Sequence, residues 1–236
     1  QPECKTLVFS TDEVFGPASA NALDDWKIPK SREPDDLRLY HSYREWDRFN
    51  PTNPYSATKA AGEDLCLAWA NTYNIPLLIT HCMNIFGERQ HPEKFIPLCI
   101  KKILAGEKVL IHASAGVKSM PGSRFYIHAR NVAAAVLFLL EEADAFREKF
   151  NITGEEEVSN LALAQKIANI LCRDGHFYLV DFHSSRPGHD LRYSLDGGKL
   201  ARLGWTPPVG FDASLERTVL WFLAHPEWLN LEHEPQ

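Results

Sequence analysis

Apolar positions along this chain recur in two alternating rhythms. Short runs predict strands at 6–10 (TLVFS), 76–81 (PLLITH), 109–112, 149–153 and 177–182. Between them, apolar residues three and four positions apart predict helices at 55–73, 95–105, 131–142, 158–172 and 213–224. Pro54 marks the start of the first helix and Gly106 the end of the second. Strands alternating with helices imply an α/β fold built on a largely parallel sheet covered on both faces. Two stretches break the rhythm. Residues 17–53 are polar and rich in Pro, Asp and Arg, yet contain Trp26 and Trp46. A connection of that length points to function or to partial disorder, and its tryptophans point to partial packing. Residues 113–123 (ASAGVKSMPGS) form a shorter insertion. No internal repeat is present.

Composition narrows the function classes. At 236 residues, with 44% hydrophobic and 24% charged positions, the chain can bury a large core as one domain or as a domain with a smaller lobe. A net charge of −6 and the lack of a basic run argue against nucleic-acid binding. No apolar run approaches the roughly 20 residues that cross a bilayer, and the opening residues do not read as a signal peptide. The five cysteines are scattered without a CxxC pair, which predicts reduced thiols in a cytoplasmic protein. The ten histidines show no HxxxH spacing, so no metal site is expected.

The candidate chemistry lies at the end of the first strand and the start of the first helix. Ser10-Thr11-Asp12-Glu13 places two hydroxyls and two carboxyls where open α/β sheets bind ligands. Adjacent carboxyls repel, so one tends to keep a proton as an acid while the other stays ionised as a base. Tyr55 and Lys59 lie four residues apart on one helix face, where the ammonium is expected to make the phenol easier to deprotonate. Plainer roles exist for both groups: Asp12 and Glu13 could cap a turn, and a Tyr-Lys pair could be a solvated surface pair. The surrounding NPYSATKAAGE run is much more specific than the pair alone. A GxGxxG segment, which presents amides to a pyrophosphate, does not occur. The expectation is that such a segment lies upstream, was lost, or is supplied elsewhere.

Ser10–Gly16, NPYSATKAAGE, Cys82-Met83-Asn84-Ile85-Phe86-Gly87, Pro92–Pro97 and Arg186-Pro187-Gly188-His189-Asp190 resemble the extended short-chain dehydrogenase/reductase family. Within it the chain is most similar to the nucleotide-sugar 4,6-dehydratases, those acting on dTDP-glucose in particular. Ser-Glu, usual in GDP-mannose dehydratases, is Asp12-Glu13 here, which disfavours that group. The resemblance implies a Rossmann-type sheet lacking its N-terminal part, with a smaller C-terminal substrate lobe. The boundaries expected are 1–93 with 117–148 for the first, 94–116 with 149–228 for the lobe, and 229–236 for a tail.

The resemblance also implies the roles. Tyr55 is the base at the C4 hydroxyl, Lys59 assists it and binds the nicotinamide ribose, and Thr11 holds the C4 oxygen. Glu13 removes the C5 proton and Asp12 protonates the departing C6 hydroxyl. Ser10 and Cys82 lie near the NAD cofactor and Asn84 near the sugar. Lys94, Phe95 and His112 follow the nucleotide, Arg124 and Arg186 neutralise the diphosphate, and Asn151 and His189 meet the nucleoside. A homodimer formed through the Tyr55 helix, with Leu65, Ala68 and Trp69 at the contact, is a further implication. Phe15 and Phe86 replace tyrosines of the family, His112 replaces its base-stacking aromatic, and Arg124-Phe125-Tyr126 replaces Arg-Asp-Trp. These departures fall where the base and the outer face of the sugar would lie. An epimerase or decarboxylase of the same superfamily, or a non-catalytic sugar-nucleotide-binding fragment, are the rival readings.

Overall fold

The computed structural model describes residues 4–18, 42–114, 120–143, 147–181 and 191–230. Trp26, Arg186 and His189, and with the last two the diphosphate and nucleoside contacts expected of them, lie outside these residues. In chain order the elements are β1 (Thr6–Thr11), α1 (Pro54–Tyr73), β2 (Leu77–Cys82), β3 (Ile85–Phe86), α2 (Phe95–Leu104) and β4 (Lys108–Ala113). There follow β5 (Ser123–Arg124), β6 (Ile127–His128), α3 (Ala129–Glu142), β7 (Glu148–Ile152), β8 (Val158–Ser159) and α4 (Asn160–Ile170). The series closes with β9 (His176–Asp181), α5 (Gly198–Arg202) and α6 (Phe211–Ala224). Single 3-10 turns occupy Asp12–Phe15 and Pro226–Leu229.

The central sheet has the order β1-β2-β7 and is wholly parallel. Thr11 pairs with Cys82 and Cys82 with Ile152, so the three carboxyl ends emerge along one edge. Every residue of β2 is buried, because helices cover both faces. On one face, Ala70 of α1 packs with Leu77 and Ile79. On the other, Val132, Ala135 and Leu139 of α3 pack with Leu78, Phe150 and Ile152. Strand side chains alternate between faces, which sends Leu77 and Ile79 one way and Leu78 the other. Each such aliphatic side chain contributes about 1.5–3 kcal/mol on burial.

Helix α1 begins where its sequence requires. Asn53 Oδ1 accepts from Ser56 N at 2.9 Å, the Ser56 hydroxyl answers the Asn53 N–H, and Pro54 occupies the first turn. The helix ends at Asn74, which turns left-handed at φ 53°. A second core gathers α2, α4 and α6 around the parallel pair β4-β9, through Ile96, Ile100, Ile111, Leu163, Ile167, Leu215 and Phe222. The two-residue pairs β3-β6 and β5-β8 stitch the regions together. These pairs, the 3-10 turns and α5 are absent from the sequence reading, because so few residues carry no rhythm. Residues 158–159, read as the start of a helix, are strand β8, and Ser159 caps α4.

Candidate active site

The turn that follows β1 brings both carboxyls to the strand ends. Thr11 caps it, its hydroxyl oxygen receiving the Glu13 N–H at 3.4 Å. Capping and chemistry are therefore joint properties of these residues. Gly16 closes the turn at φ 78°, where a Cβ would stand 2.4 Å from the Asn50 carbonyl oxygen. Only glycine fits this position. The approach lets Asn50 N donate to Val14 O at 2.9 Å and brings the segment from Tyr43 onto the turn. Phe15 is fully buried between Tyr43, Phe49 and His81, with ring centroids 5.4, 5.3 and 4.8 Å away.

Asp12 is 6% exposed. Its Oδ1 accepts from the Thr11 hydroxyl at 3.1 Å, and its buried Oδ2 has no partner among the described residues. Burial is the main force pushing its carboxyl up to about 7, and the Glu13 charge adds to it. The Arg124 guanidinium and the Thr11 hydrogen bond pull the other way. Glu13 is held differently: Asn53, the cap of α1, donates Nδ2 to its Oε2 at 2.9 Å. One asparagine thus starts the helix carrying Tyr55 and orients the carboxylate opposite it. The role of Asn53 was missed in the sequence, although the Asn-Pro-x-Ser spacing of a capping box marks it.

Tyr55 stands on the first turn of α1 and is 52% exposed, with Thr11 beside its phenol. Its phenol lies above the ordinary value, first through burial and then through the charges of Glu13 and Asp12, against the Thr11 hydrogen bond. This reverses the expectation that Lys59 would ease deprotonation. The Lys59 ammonium donates instead to Phe9 O at 3.1 Å. Cys82, at the end of β2, is a buried thiol pushed up to about 12 chiefly by burial. It feels the Asp12 charge and so belongs to the same cluster.

Arg124 donates Nη1 to Ser123 O at 2.6 Å and to Leu191 O, and its guanidinium lies 4.6 Å from the Tyr193 ring centre. It is a braced cation beside Asp12, unlike a freely solvated surface charge. Behind it, Arg192 grips Glu157 with two bonds of 2.7 and 2.9 Å. Other expected ligand residues are more scattered. Asn84 and Lys94 are exposed, His112 lies on β4 opposite Val180, and Phe95 packs against the second core. Asn151 corrects an expectation. It is wholly buried, with Nδ2 donating to Tyr43 O and Asp196 O at 3.0 and 3.1 Å and Oδ1 facing His81 at 3.0 Å. Its amide has nothing left for a nucleoside. Ser10 likewise points inward, its hydroxyl donating to Glu63. Among the described residues no cluster suited to a metal ion occurs, and no helix is long and apolar enough to cross a membrane.

Residues 2–153 match the family described as the NAD dependent epimerase/dehydratase family. The chain is 32% identical over 228 residues to the dTDP-glucose 4,6-dehydratase of Salmonella typhimurium, covering 94% of this chain and 59% of that protein. DesIV, a dTDP-glucose 4,6-dehydratase from Streptomyces venezuelae solved with NAD and TYD bound, is 31% identical with a TM-score of 0.77. That match covers 96% of this chain and 62% of the other. The UDP-glucose 4-epimerase of Thermus thermophilus, solved with NAD, is 21% identical with a TM-score of 0.71, over 93% and 64% of the two chains. At that identity the likeness is one of fold. The chain thus spans about 59% of the length of the Salmonella relative.

Proposed function

The chain belongs to the NAD dependent epimerase/dehydratase family, and from that premise we propose that it carries the catalytic residues of a nucleotide-sugar 4,6-dehydratase acting on dTDP-glucose or a close analogue. One observation carries the reading: two neighbouring carboxyls are held in different environments beside a phenol. Asp12 is buried with an orphan oxygen and keeps its proton to about pH 7. Glu13 is tethered by an amide N–H. Elimination of water across C5–C6 needs an acid and a base of this kind, whereas inversion at C4 does not.

NAD, when bound, would supply the hydride acceptor for C4 and then the hydride donor for C6. In this reading Tyr55 removes the proton of the C4 hydroxyl while Thr11 holds that oxygen. Glu13 then takes the C5 proton, made acidic by the 4-ketone, and Asp12 gives its proton to the C6 hydroxyl, which leaves as water; as hydride returns to C6, Glu13 gives the proton back to C5. Tyr55 and Lys59, one turn apart at the strand ends, fit the nicotinamide-ribose end of the cofactor. The 236 residues contain no GxGxxG cradle for its pyrophosphate. Ser10, facing Glu63, and Cys82, a protonated thiol, would act there by shape and position. Arg124 and Arg186 would meet the diphosphate, Asn84 the sugar, and Lys94, Phe95, His112 and His189 the nucleotide.

The second core, with α2, α4 and α6, serves as the substrate lobe in this proposal; of the expected range 94–116 with 149–228, β7 belongs instead to the central sheet, because it pairs with β2, and Leu200 and Trp205 pack in the first core. Leu65, Trp69 and Tyr73 are 63%, 58% and 61% exposed along one face of α1, which supports a homodimer that pairs these helices. Five cysteines free of disulfides support a cytoplasmic location. Incubating the chain with NAD and dTDP-glucose tests the function. Formation of the 4-keto-6-deoxy sugar is expected; an epimerised or decarboxylated product, or none while nucleotide binds, overturns it.

A further inference from the structure

Beneath the active site lies a second group of ionisable residues that the proposed reaction does not use. Glu63 of α1 is 1% exposed, His81 of β2 0% and Lys149 of β7 3%. Glu63 Oε1 accepts from the Ser10 hydroxyl. Its Oε2 stands 3.0 Å from both His81 Nε2 and Lys149 Nζ. His81 Nδ1 stands 3.0 Å from Asn151 Oδ1. Asn151 N–H, in turn, donates to Glu45 Oε1 at 3.2 Å. The Lys149 ammonium is capped by the rings of Phe49 and Trp46, 4.3 and 4.9 Å from their centres.

The directions of these bonds decide where the protons are. Asn151 offers two N–H groups to two backbone carbonyls, so its amide cannot be flipped and its oxygen must face the ring. His81 Nδ1 therefore carries a proton. On the other side, burial alone would raise the Glu63 carboxyl, but the donors it faces apart from the ring, the Ser10 hydroxyl and the Lys149 ammonium, hold it below the ordinary value and ionised. An ionised Glu63 offers only lone pairs, so His81 Nε2 carries a proton as well. The groups facing the ring are Glu63 from α1, Lys149 and Asn151 from β7, Ser10 from β1 by way of Glu63, Glu45 by way of Asn151, and the edges of Phe15 and Phe49. Two acids, Glu63 and Glu45, balance two bases, His81 and Lys149, so the cluster closes without net charge.

We propose that Ser10, Glu63, His81, Lys149 and Asn151 form a buried ionic clasp, with His81 as a doubly protonated imidazolium, that sets the position of the Tyr55–Lys59 helix against Thr11-Asp12-Glu13. Glu63 lies two turns beyond Tyr55 on α1, and Ser10 directly precedes Thr11 on β1. A bond between them fixes the helix to the strand. Asn151 and Glu45 extend the clasp to the segment whose Asn53 holds Glu13. These are positioning residues. Their bearing on catalysis rests on the dehydratase reading, while the clasp itself does not.

Long-range 1H–15N spectra of the chain at pH 7, with His81 assigned through its contacts to the Phe15 and Phe49 rings, read the ring directly. Protons on both nitrogens are expected; a single-proton neutral ring overturns the proposal. The positioning role is read from the titration of Tyr55, 13C-labelled at Cζ and identified with Tyr55→Phe. In His81→Gln, which keeps one donor only, the Tyr55 midpoint should fall as the phenol drifts from Glu13 and Asp12. In His81→Arg, which has two donors, it should return. An unmoved Tyr55 in folded His81→Gln overturns the positioning role. Should that variant fail to fold, Lys149→Met removes one of the three donors to Glu63 and leaves His81 in place, and the same midpoint decides. Neither measurement depends on turnover, so a chain that forms no 4-keto product refutes the dehydratase reading and leaves the clasp standing.

Discussion

Asp12 and Glu63 are two buried carboxyls, on adjoining elements, with opposite protonation. Both are buried, Asp12 6% exposed and Glu63 1%, so burial alone would raise both carboxyls. Only Asp12 is raised, because Glu63 receives bonds from Ser10, His81 and Lys149 while Asp12 receives one from Thr11 and leaves an oxygen orphaned. Burial raises a carboxyl until donors repay the lost hydration. Adjacent residues of one strand, Ser10 and Thr11, thus serve a region built for stability and a region poised for proton transfer.

The comparison breaks most severely at Glu63. Glu63→Ala leaves Lys149 and His81 as uncompensated buried cations and should cost about 3–5 kcal/mol in denaturant unfolding. A loss under about 1 kcal/mol would mean that the clasp is not ionic. At Asp12 the folded chain keeps a proton to about pH 7 that the unfolded chain loses near 3.8. Between those values the folded state binds the extra proton, so stability falls as pH rises, and the penalty is complete above 7. Wild type should therefore lose as much as about 4 kcal/mol relative to Asp12→Asn between pH 3.5 and 8. Parallel pH profiles for the two proteins would show that Asp12 is ordinary. The same variant should slow water elimination by about 10²–10⁴-fold.

Smaller effects sharpen the contrast at its hinge. Gly16→Ala forces a side chain into a left-handed position against the Asn50 carbonyl and should cost about 1–3 kcal/mol, read as a lowered melting temperature. Asn53→Ala removes the cap of α1 for about 1 kcal/mol. It also frees Glu13, so loss of dehydration should exceed what the stability change explains; wild-type turnover in a folded Asn53→Ala would remove Asn53 from the site.

Long apolar segments were legible in the sequence. Strand β2 and helices α1 and α3 lie within two residues of the spans that periodicity predicts. The Thr11-Asp12-Glu13 and Tyr55 grouping was legible too, since turn and helix start are local features. Two particulars were not, and the place of His81 between two acceptors was a third that the sequence did not signal. Asn151 looked like a ligand contact and is a spent amide; Tyr55 looked easier to ionise and is harder. Each depends on neighbours distant in sequence.

Local order, then, was written in the chain: where strands and helices run, which residues cap them, and which carboxyls stand beside a hydroxyl. Such properties follow from backbone sterics and from periodicities of 2 and 3.6 residues, which act over a few neighbours. Protonation was decided by the tertiary structure alone. Whether a buried acid keeps or yields its proton turns on how many donors the fold brings to its oxygens, and those donors come from strands and helices far apart along the chain.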